Sequence, residues 1–512
     1  MVPGIAVAER LDSPAAVEPV LVTRRPLRGR RLPPGWPLLG LLYGYPITWA
    51  LGFGPFIVFV VAIPMAWELA KRRPLVVPRM VRVFLLFLLV VAASAVMLKG
   101  QPPGAIKSHL SGQILAYTYR GAAWVSGLIA GLYVLNLSER ELPSRRLAKA
   151  MGGLFVLATV LGYWGLFSPY GQFTSPIEML VQSGPHIIAK NQFIHDLIHP
   201  ASSEVQRFLG FTEARPKAPF EYTNEWGGNI SLLLPFYLIS WLRSPSARMR
   251  RWGWIPLVVA VPPIIYSLNR GLWVALVIVI VLFAVHLLRL GKVMTVMAAL
   301  GAMAVGVAIF LLSPLYTLTL DRVHHPHSNA GRSFVYQLAY QGAEASPLLG
   351  WGGPRSTAGS DQSIARGVSA KCQSCGGVPI GTHGTVWYIM FSAGFFALAL
   401  LAWFLIGSFI KALRRKDDFS AAATASLAVF MFEAFIYNQL PMAFLLLMCA
   451  VGLSWRVQLA ERRDDALTRP GPKALWVRSG STSFPNNEAW QQAAAERHIP
   501  TPRELPWKVQ GP

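Results

Sequence analysis

Arg270 lies between two stretches, 254–268 and 271–290, that are each apolar enough to cross a bilayer. A cation retained between such runs is expensive, which points to chemistry or ligand binding. Its surroundings, Ser267-Leu268-Asn269-Arg270-Gly271-Leu272-Trp273, read as a tight turn presenting a fixed positive charge. A second pattern, His195-Asp196-Leu197-Ile198-His199, sets two imidazoles at i and i+4, the spacing with which zinc proteases hold their metal. Those proteases carry Glu where Asp196 stands, and Asp reaches one methylene less far. An amphipathic surface helix is therefore the preferred reading, and no metal is assigned. In His324-His325-Pro326-His327 the proline interrupts regular ligand geometry, so this cluster reads as a solvated loop. Cys372 and Cys375, in Lys371-Cys372-Gln373-Ser374-Cys375-Gly376-Gly377, read as a local disulfide. A redox role would need a thioredoxin-like helix start, and a zinc site would need two more ligands.

The elements that must position these residues are membrane helices. Over 512 residues the chain is 53% hydrophobic and 14% charged, with a mean hydropathy of +0.43, which excludes an ordinary soluble protein. The pattern predicts an all-α polytopic membrane protein with about twelve transmembrane helices and large outer loops containing short amphipathic helices. The spans centre near Leu42, Val60, Leu89, Gly127, Ala158, Pro235, Val259, Ile280, Val305, Leu398, Phe430 and Leu446. Only Leu51-Gly52-Phe53-Gly54 separates the first two. The spans read as nearly devoid of interior charge, Glu433 excepted.

Short loops rich in Lys and Arg stay in the cytoplasm. Such loops occur at 24–31, 71–82, 140–149, 243–251, 289–292 and 411–416 and in the tail from Arg456, alternating with weakly basic connections. Both termini are thus expected inside, with Arg270 and the loops 168–226 and 313–384 outside. Residues 1–34 form a basic cytoplasmic tail, 35–456 the membrane domain, and 457–512 a polar, Pro-rich cytoplasmic tail expected to be disordered. Anchoring residues and attraction to anionic membrane lipid account for the net charge of +23, so no nucleic-acid partner is implied. No internal repeat of fixed period is present.

The outer loops hold a coherent set. Arg215-Pro216 and Pro219-Phe220-Glu221-Tyr222-Thr223-Asn224-Glu225-Trp226-Gly227 lead into the sixth span. Arg332 opens an expected amphipathic helix, 333–345, followed by Pro347-Leu348-Leu349-Gly350-Trp351-Gly352-Gly353. His383-Gly384 precedes the tenth span, with Gly394 about three turns along it. In these ordered blocks (Tyr222-Thr223-Asn224, Asn269-Arg270-Gly271, Arg332 to its Gly-rich turn, and His383 to Gly394) the chain resembles the O-antigen ligase and O-antigen polymerase superfamily of bacterial envelope glycosyltransferases. It departs from that pattern at Asn269, where Ser is common, and at Gly384, where Asn is usual.

The resemblance implies transfer of a glycan from a polyprenyl-pyrophosphate donor to a glycan, lipid or protein acceptor. The reaction would take place on the outer face of the bacterial cytoplasmic membrane, invert at the anomeric carbon and use no metal or other cofactor. Arginine suits the donor because its planar fork stays charged and donates bidentate hydrogen bonds to phosphate oxygens. Arg270 and Arg332 are the catalytic candidates for that task, and His383 is the candidate base for the acceptor hydroxyl. Arg215, Asn224, Asn269 and Tyr336 are candidates for substrate binding. Two other classes remain open from sequence. A transporter or flippase could use Arg270 on a phosphate headgroup, with Glu433 as a proton-coupling residue or arginine partner. A membrane zinc protease would rest on His195 and His199.

Overall fold

The computed structural model describes residues 7–9, 19–21, 32–105, 110–183, 192–207, 212–312, 316, 327–356 and 379–468. It is mostly helical. The N-terminal half contains α1 (Trp36–Ala50), α2 (Ile57–Ala70), α3 (Arg79–Ala93), α4 (Leu110–Asn136), α5 (Ser144–Phe167), the short α6 (Pro176–Gln182) and α7 (Gln192–Ile198), and α8 (Thr223–Tyr237). Then follow α9 (Ala247–Trp252), α10 (Ile255–Tyr266), α11 (Arg270–Arg289), α12 (Val293–Leu311), α13 (His327–Ala345), α14 (Thr385–Leu413), α15 (Asp418–Glu433) and α16 (Met442–Thr468). The chain divides into a main unit, Met1–Val457, and a second, Gln458–Pro512.

Each apolar centre read from the sequence falls inside one of these helices. Five segments are long and apolar enough to cross a membrane by length and composition: Arg79–Met97, Ser144–Phe167, Arg270–Arg289, Thr385–Leu413 and Met442–Ala460. Several others are shorter and carry internal prolines, Pro46 in α1, Pro64 in α2 and Pro262 and Pro263 in α10. Leu51-Gly52-Phe53-Gly54 does separate α1 from α2, with Gly52 at φ 87° packed against Ser175.

The structure departs from an all-α chain at three antiparallel ribbons. β1 (Val7–Glu9) pairs with β2 (Pro19–Leu21), β3 (Ser203–Arg207) with β4 (Thr212–Pro216), and β5 (Arg355–Ser356) with β6 (Pro379–Ile380). The β3–β4 ribbon sits in one of the loops expected to contain short amphipathic helices, and its register sets Glu204 opposite Arg215. The spans also carry more charge than expected. Arg120 in α4 is 7% exposed and Glu68 in α2 is 6% exposed. Glu68 accepts a hydrogen bond from Tyr133 at 2.8 Å.

α8 is the hub of the packing, buried over most of its length against α5, α11 and α15. Trp226 in its first turn is fully buried and donates to the Ala158 carbonyl of α5 at 3.1 Å. α4 and α16 approach closely through small residues: a Cβ on Gly452 would stand 2.5 Å from the Gly131 carbonyl oxygen.

Among the described residues, the basic connections after Arg72 meet at one end of the main unit, where the Ser420 hydroxyl of α15 lies 3.1 Å from the Ser454 hydroxyl of α16. Arg72 holds Glu141 through two hydrogen bonds of 2.7 and 3.0 Å, and Arg456 donates to the carbonyls of Leu137 and Leu142. At the same ends of α11 and α14, Arg289 donates to the Leu413 carbonyl at 2.8 Å, and Asp418 accepts from Arg243 and His286. The opposite ends of α11 and α14 begin at Arg270 and Thr385.

Candidate functional site

Arg270 is the first residue of α11, and the local sequence explains why the helix starts there. Asn269 caps it, its Oδ1 accepting from the Leu272 N–H at 2.9 Å. Leu268 takes the left-handed conformation at φ 50°, reversing the chain between α10 and α11. Gly271 leaves room for the Tyr437 ring, since a Cβ there would lie 2.5 Å from the phenolic oxygen. That hydroxyl donates a second hydrogen bond to Asn269 Oδ1.

Arg215 is a buried tie from β4 to this turn. Its Nε donates to the Ser267 carbonyl at 2.6 Å and its Nη2 to Asn224 Oδ1 at 3.4 Å. Its own carbonyl accepts from the Thr223 hydroxyl at 3.2 Å, while Glu204 of β3 accepts from the Thr223 N–H at 2.9 Å. The ribbon thereby satisfies the first turn of α8, where a carboxylate complements the helix dipole. Arg215, Asn224, Asn269 and Arg270 thus form one connected group.

His383 forms a second group with Tyr336. The Tyr336 hydroxyl donates to the His383 carbonyl at 3.1 Å and to the Phe435 carbonyl at 3.3 Å, and its ring stacks on Trp387 with centroids 4.2 Å apart. His383 Nδ1 is 3.2 Å from the Thr382 hydroxyl. Arg332 lies inside α13, not at its start: the helix begins five residues earlier, at His327. It precedes Tyr336 by one helical turn; its side chain lies outside the described residues. So do the side chain of Asp196, His324 and His325, and the cysteines at 372 and 375.

Two glycines hold α13 against α14. α14 is broken at Gly394, with φ 82° and ψ 176°, and the turn after α13 fills the break. The Phe395 N–H donates to the Pro347 carbonyl at 2.8 Å, while the N–H groups of Trp351 and Gly352 donate to the carbonyls of Phe391 and Ser392 at 3.0 and 2.8 Å. Gly350, at φ 59°, lies so close that a Cβ would stand 2.5 Å from the Ala393 nitrogen. The Gly-rich turn and the glycine within the span, separate in sequence, are two halves of one joint.

The connection between α15 and α16 joins the two groups. The Tyr437 carbonyl accepts from the Thr385 N–H at 3.0 Å, two residues after His383, while the Tyr437 hydroxyl reaches Asn269. Phe435 offers its carbonyl to Tyr336 and also to Trp387 Nε1 at 2.9 Å. Tyr437 was not singled out by sequence, because it stands in a short connection without a motif.

Next to Tyr437 lies a small cleft with room for about one water molecule, where Glu221, Asn224, Glu225, Asn229, Asn438 and Gln439 face Leu440, Pro441 and Met442. Glu221, Asn229 and Gln439 are each at most 4% exposed. Their atoms Glu221 Oε1, Asn229 Oδ1 and Gln439 Oε1 have no hydrogen-bond partner among the described residues, so the cleft offers acceptors to a water or another small donor. Burial pushes the Glu221 carboxyl above its ordinary range, partly offset by a hydrogen bond with Glu225. Glu433 is fully buried and accepts from Ser231 at 3.1 Å and from Gln439, so its partners are neutral. Arg120 lies with its guanidinium 5.1 Å from the ring centre of Tyr388, one turn into α14. This cation was not singled out by sequence.

Residues 255–402 match the O-antigen ligase family model. The matched stretch runs from α10 into α14 and contains Asn269, Arg270, Arg332, Tyr336, His383 and both glycines of the joint. Arg215, Asn224 and Tyr437 lie outside it. No curated protein and no solved structure gave a significant match.

Proposed function

We propose that this chain, which residues 255–402 place in the O-antigen ligase superfamily, transfers a glycan from a polyprenyl-pyrophosphate donor to an acceptor hydroxyl at the outer face of the cytoplasmic membrane. The observation that carries this reading is the 435–437 hub, which ties the Arg270 turn to the His383 segment through Tyr437 and to the Arg332 helix through Tyr336. We base the outer-face assignment on the arginine-rich loops at the opposite end, since such loops stay in the cytoplasm.

In this mechanism Arg270 and Arg332 grip the donor pyrophosphate. The acceptor oxygen attacks the anomeric carbon as the bond from that carbon to the pyrophosphate oxygen breaks. The proton of the acceptor passes to His383, and the bonding pair leaves with the lipid pyrophosphate, whose added charge the arginines stabilise. Such preorganised donors are worth roughly 3 to 4 kcal/mol each where charge builds in a transition state. Direct displacement inverts the anomeric centre, and no metal is required. Arg215 positions the Arg270 turn through its hydrogen bond to the Ser267 carbonyl.

A transporter of lipid-linked glycans would use a broken helix as an open binding surface. The break at Gly394 is instead filled by the 347–352 turn, whose backbone groups satisfy it. The test is donor binding and turnover in purified variants. Arg270→Ala should weaken binding of the lipid-linked donor and abolish transfer, whereas His383→Ala should abolish transfer with donor binding retained. If His383→Ala turns over at the normal rate, the proposed base is wrong. Deleting the gene separates the two acceptor types: accumulated single repeats indicate a polymerase, and unattached full-length polymer a ligase.

A further inference from the structure

Glu178, His195 and His199 converge in the segment that holds α6 and α7. α6 brings Glu178 in its first turn, where a capping box orients the carboxylate: the Ser175 N–H donates to Oε2 at 3.4 Å, and the Ser175 hydroxyl accepts from the Glu178 N–H at 3.1 Å. His195 in α7 and His199 just past its end lie on one face, their rings stacked with centroids 4.8 Å apart. His195 Nε2 lies 3.4 Å from Glu178 Oε1, and His199 Nδ1 lies 2.8 Å from Oε2. One ligand-type atom from each residue falls within 4.8 Å of the others.

Two imidazoles and a carboxylate are the donor set of a divalent transition metal. Tetrahedral ligands at about 2.0–2.1 Å from zinc stand roughly 3.3 Å apart. The two histidine–carboxylate separations lie on either side of that value and all three ligand atoms fall within 4.8 Å of one another, so modest side-chain shifts would seat the ion between them. The surrounding shell also fits. His199 Nε2 is 3.3 Å from Gln172 Oε1, an acceptor that takes the Nε2 proton and leaves the Nδ1 lone pair free to ligate. Glu178 is buried, whereas the His195 side chain is 42% exposed, which leaves one side open to water.

We propose that Glu178, His195 and His199 bind one zinc-like divalent metal ion, with water completing the coordination, and that the ion clamps α6 to α7. Its role is to order this loop, not to act on substrate. The clamp supports the wall of the polar cleft: the Ser175 hydroxyl donates to the Ile198 carbonyl at 2.7 Å, and Gly54 is wedged between the Leu197 carbonyl and Glu221 Oε1.

The test uses tag-free full-length protein in detergent, stripped with a chelator and titrated with cobalt(II) and then zinc(II). The expected result is one cobalt per chain, with the visible absorption of a four- or five-coordinate ion, displaced by zinc. Amide exchange in α6 and α7 should slow on binding. His195→Ala and Glu178→Gln should each weaken binding by about tenfold or more, whereas Cys372→Ser with Cys375→Ser should leave it unchanged. The proposal is overturned if the wild type takes up no cobalt at this stoichiometry. Binding that survives His195→Ala and Glu178→Gln, or that is lost with the cysteines instead, overturns it equally.

Discussion

Replacing Tyr437 with Phe removes one hydroxyl and keeps the ring that packs beside Gly271. That hydroxyl and the Leu272 N–H are the two donors on Asn269 Oδ1, and Asn269 Nδ2 has no partner among the described residues. Tyr437 and Asn269 are 7% and 1% exposed, so water does not replace the lost donor. A neutral buried hydrogen bond contributes about 1 kcal/mol net, and the change strands no charge, so the fold should survive with a small loss of stability. The amide that caps α11 would then be held by one donor instead of two. If that 1 kcal/mol is what holds Arg270 in its productive position, transfer should slow roughly five-fold. The assay is turnover of a defined lipid-linked donor by purified protein, measuring kcat and KM for Tyr437→Phe, Asn269→Ala and the pair. Asn269→Ala removes the cap itself and should cost more, about 0.5–2 kcal/mol in stability alone. Because Tyr437 acts through Asn269, the double variant should be no worse than Asn269→Ala. A Tyr437→Phe enzyme with unchanged kcat, or losses that multiply in the double variant, would refute the link from the hub to Arg270.

Three other outcomes follow from the same contacts. Gly394→Ala forces a side chain into a glycine-only conformation against the Pro347 carbonyl; strain of about 1–3 kcal/mol plus that collision should lower the melting temperature in detergent markedly. Arg215→Lys keeps the charge but cannot span Ser267 and Asn224 with a planar fork, so it should lose transfer nearly as fully as Arg215→Ala, measured by turnover at equal protein. Burial raises the Glu141 carboxyl, but hydrogen bonds from Arg72 and Ser138 outweigh it and hold the pKa at about 2, below the ordinary 4.5. A depressed folded-state pKa gives stability that is full above the unfolded value and lost as pH falls through the folded one. The melting temperature of Glu141→Gln should therefore lie below wild type at neutral pH, and the gap should close as pH falls from about 4.5 toward about 2.

Apolar run length made the helices legible in the sequence, and the order of Arg270, Arg332, His383 and Gly394 made the family legible. The conformational demand at Gly394 is of the kind a sequence shows, because only glycine fits there. Lateral partnerships were hidden. Glu178 stands 17 residues before His195, in another helix, so no spacing rule connects it to the histidine pair. Tyr437 acts through a carbonyl and a hydroxyl at opposite ends of one residue, which no motif encodes. The β3–β4 ribbon pairs two short polar segments, whose alternation is too weak to read. Arg120 was missed although it lies within the helix Leu110–Asn136, because a single cation barely lowers the mean apolarity of so long a run.

The central claim, that Arg270, Arg332 and His383 together perform the transfer, is tested most directly in purified protein with all three replaced by alanine. With a polyprenyl-pyrophosphate-linked glycan and its acceptor, the wild type should release lipid pyrophosphate and yield transferred glycan. The triple variant, inserted in the membrane at normal levels, should yield none; transfer by that variant would contradict the account.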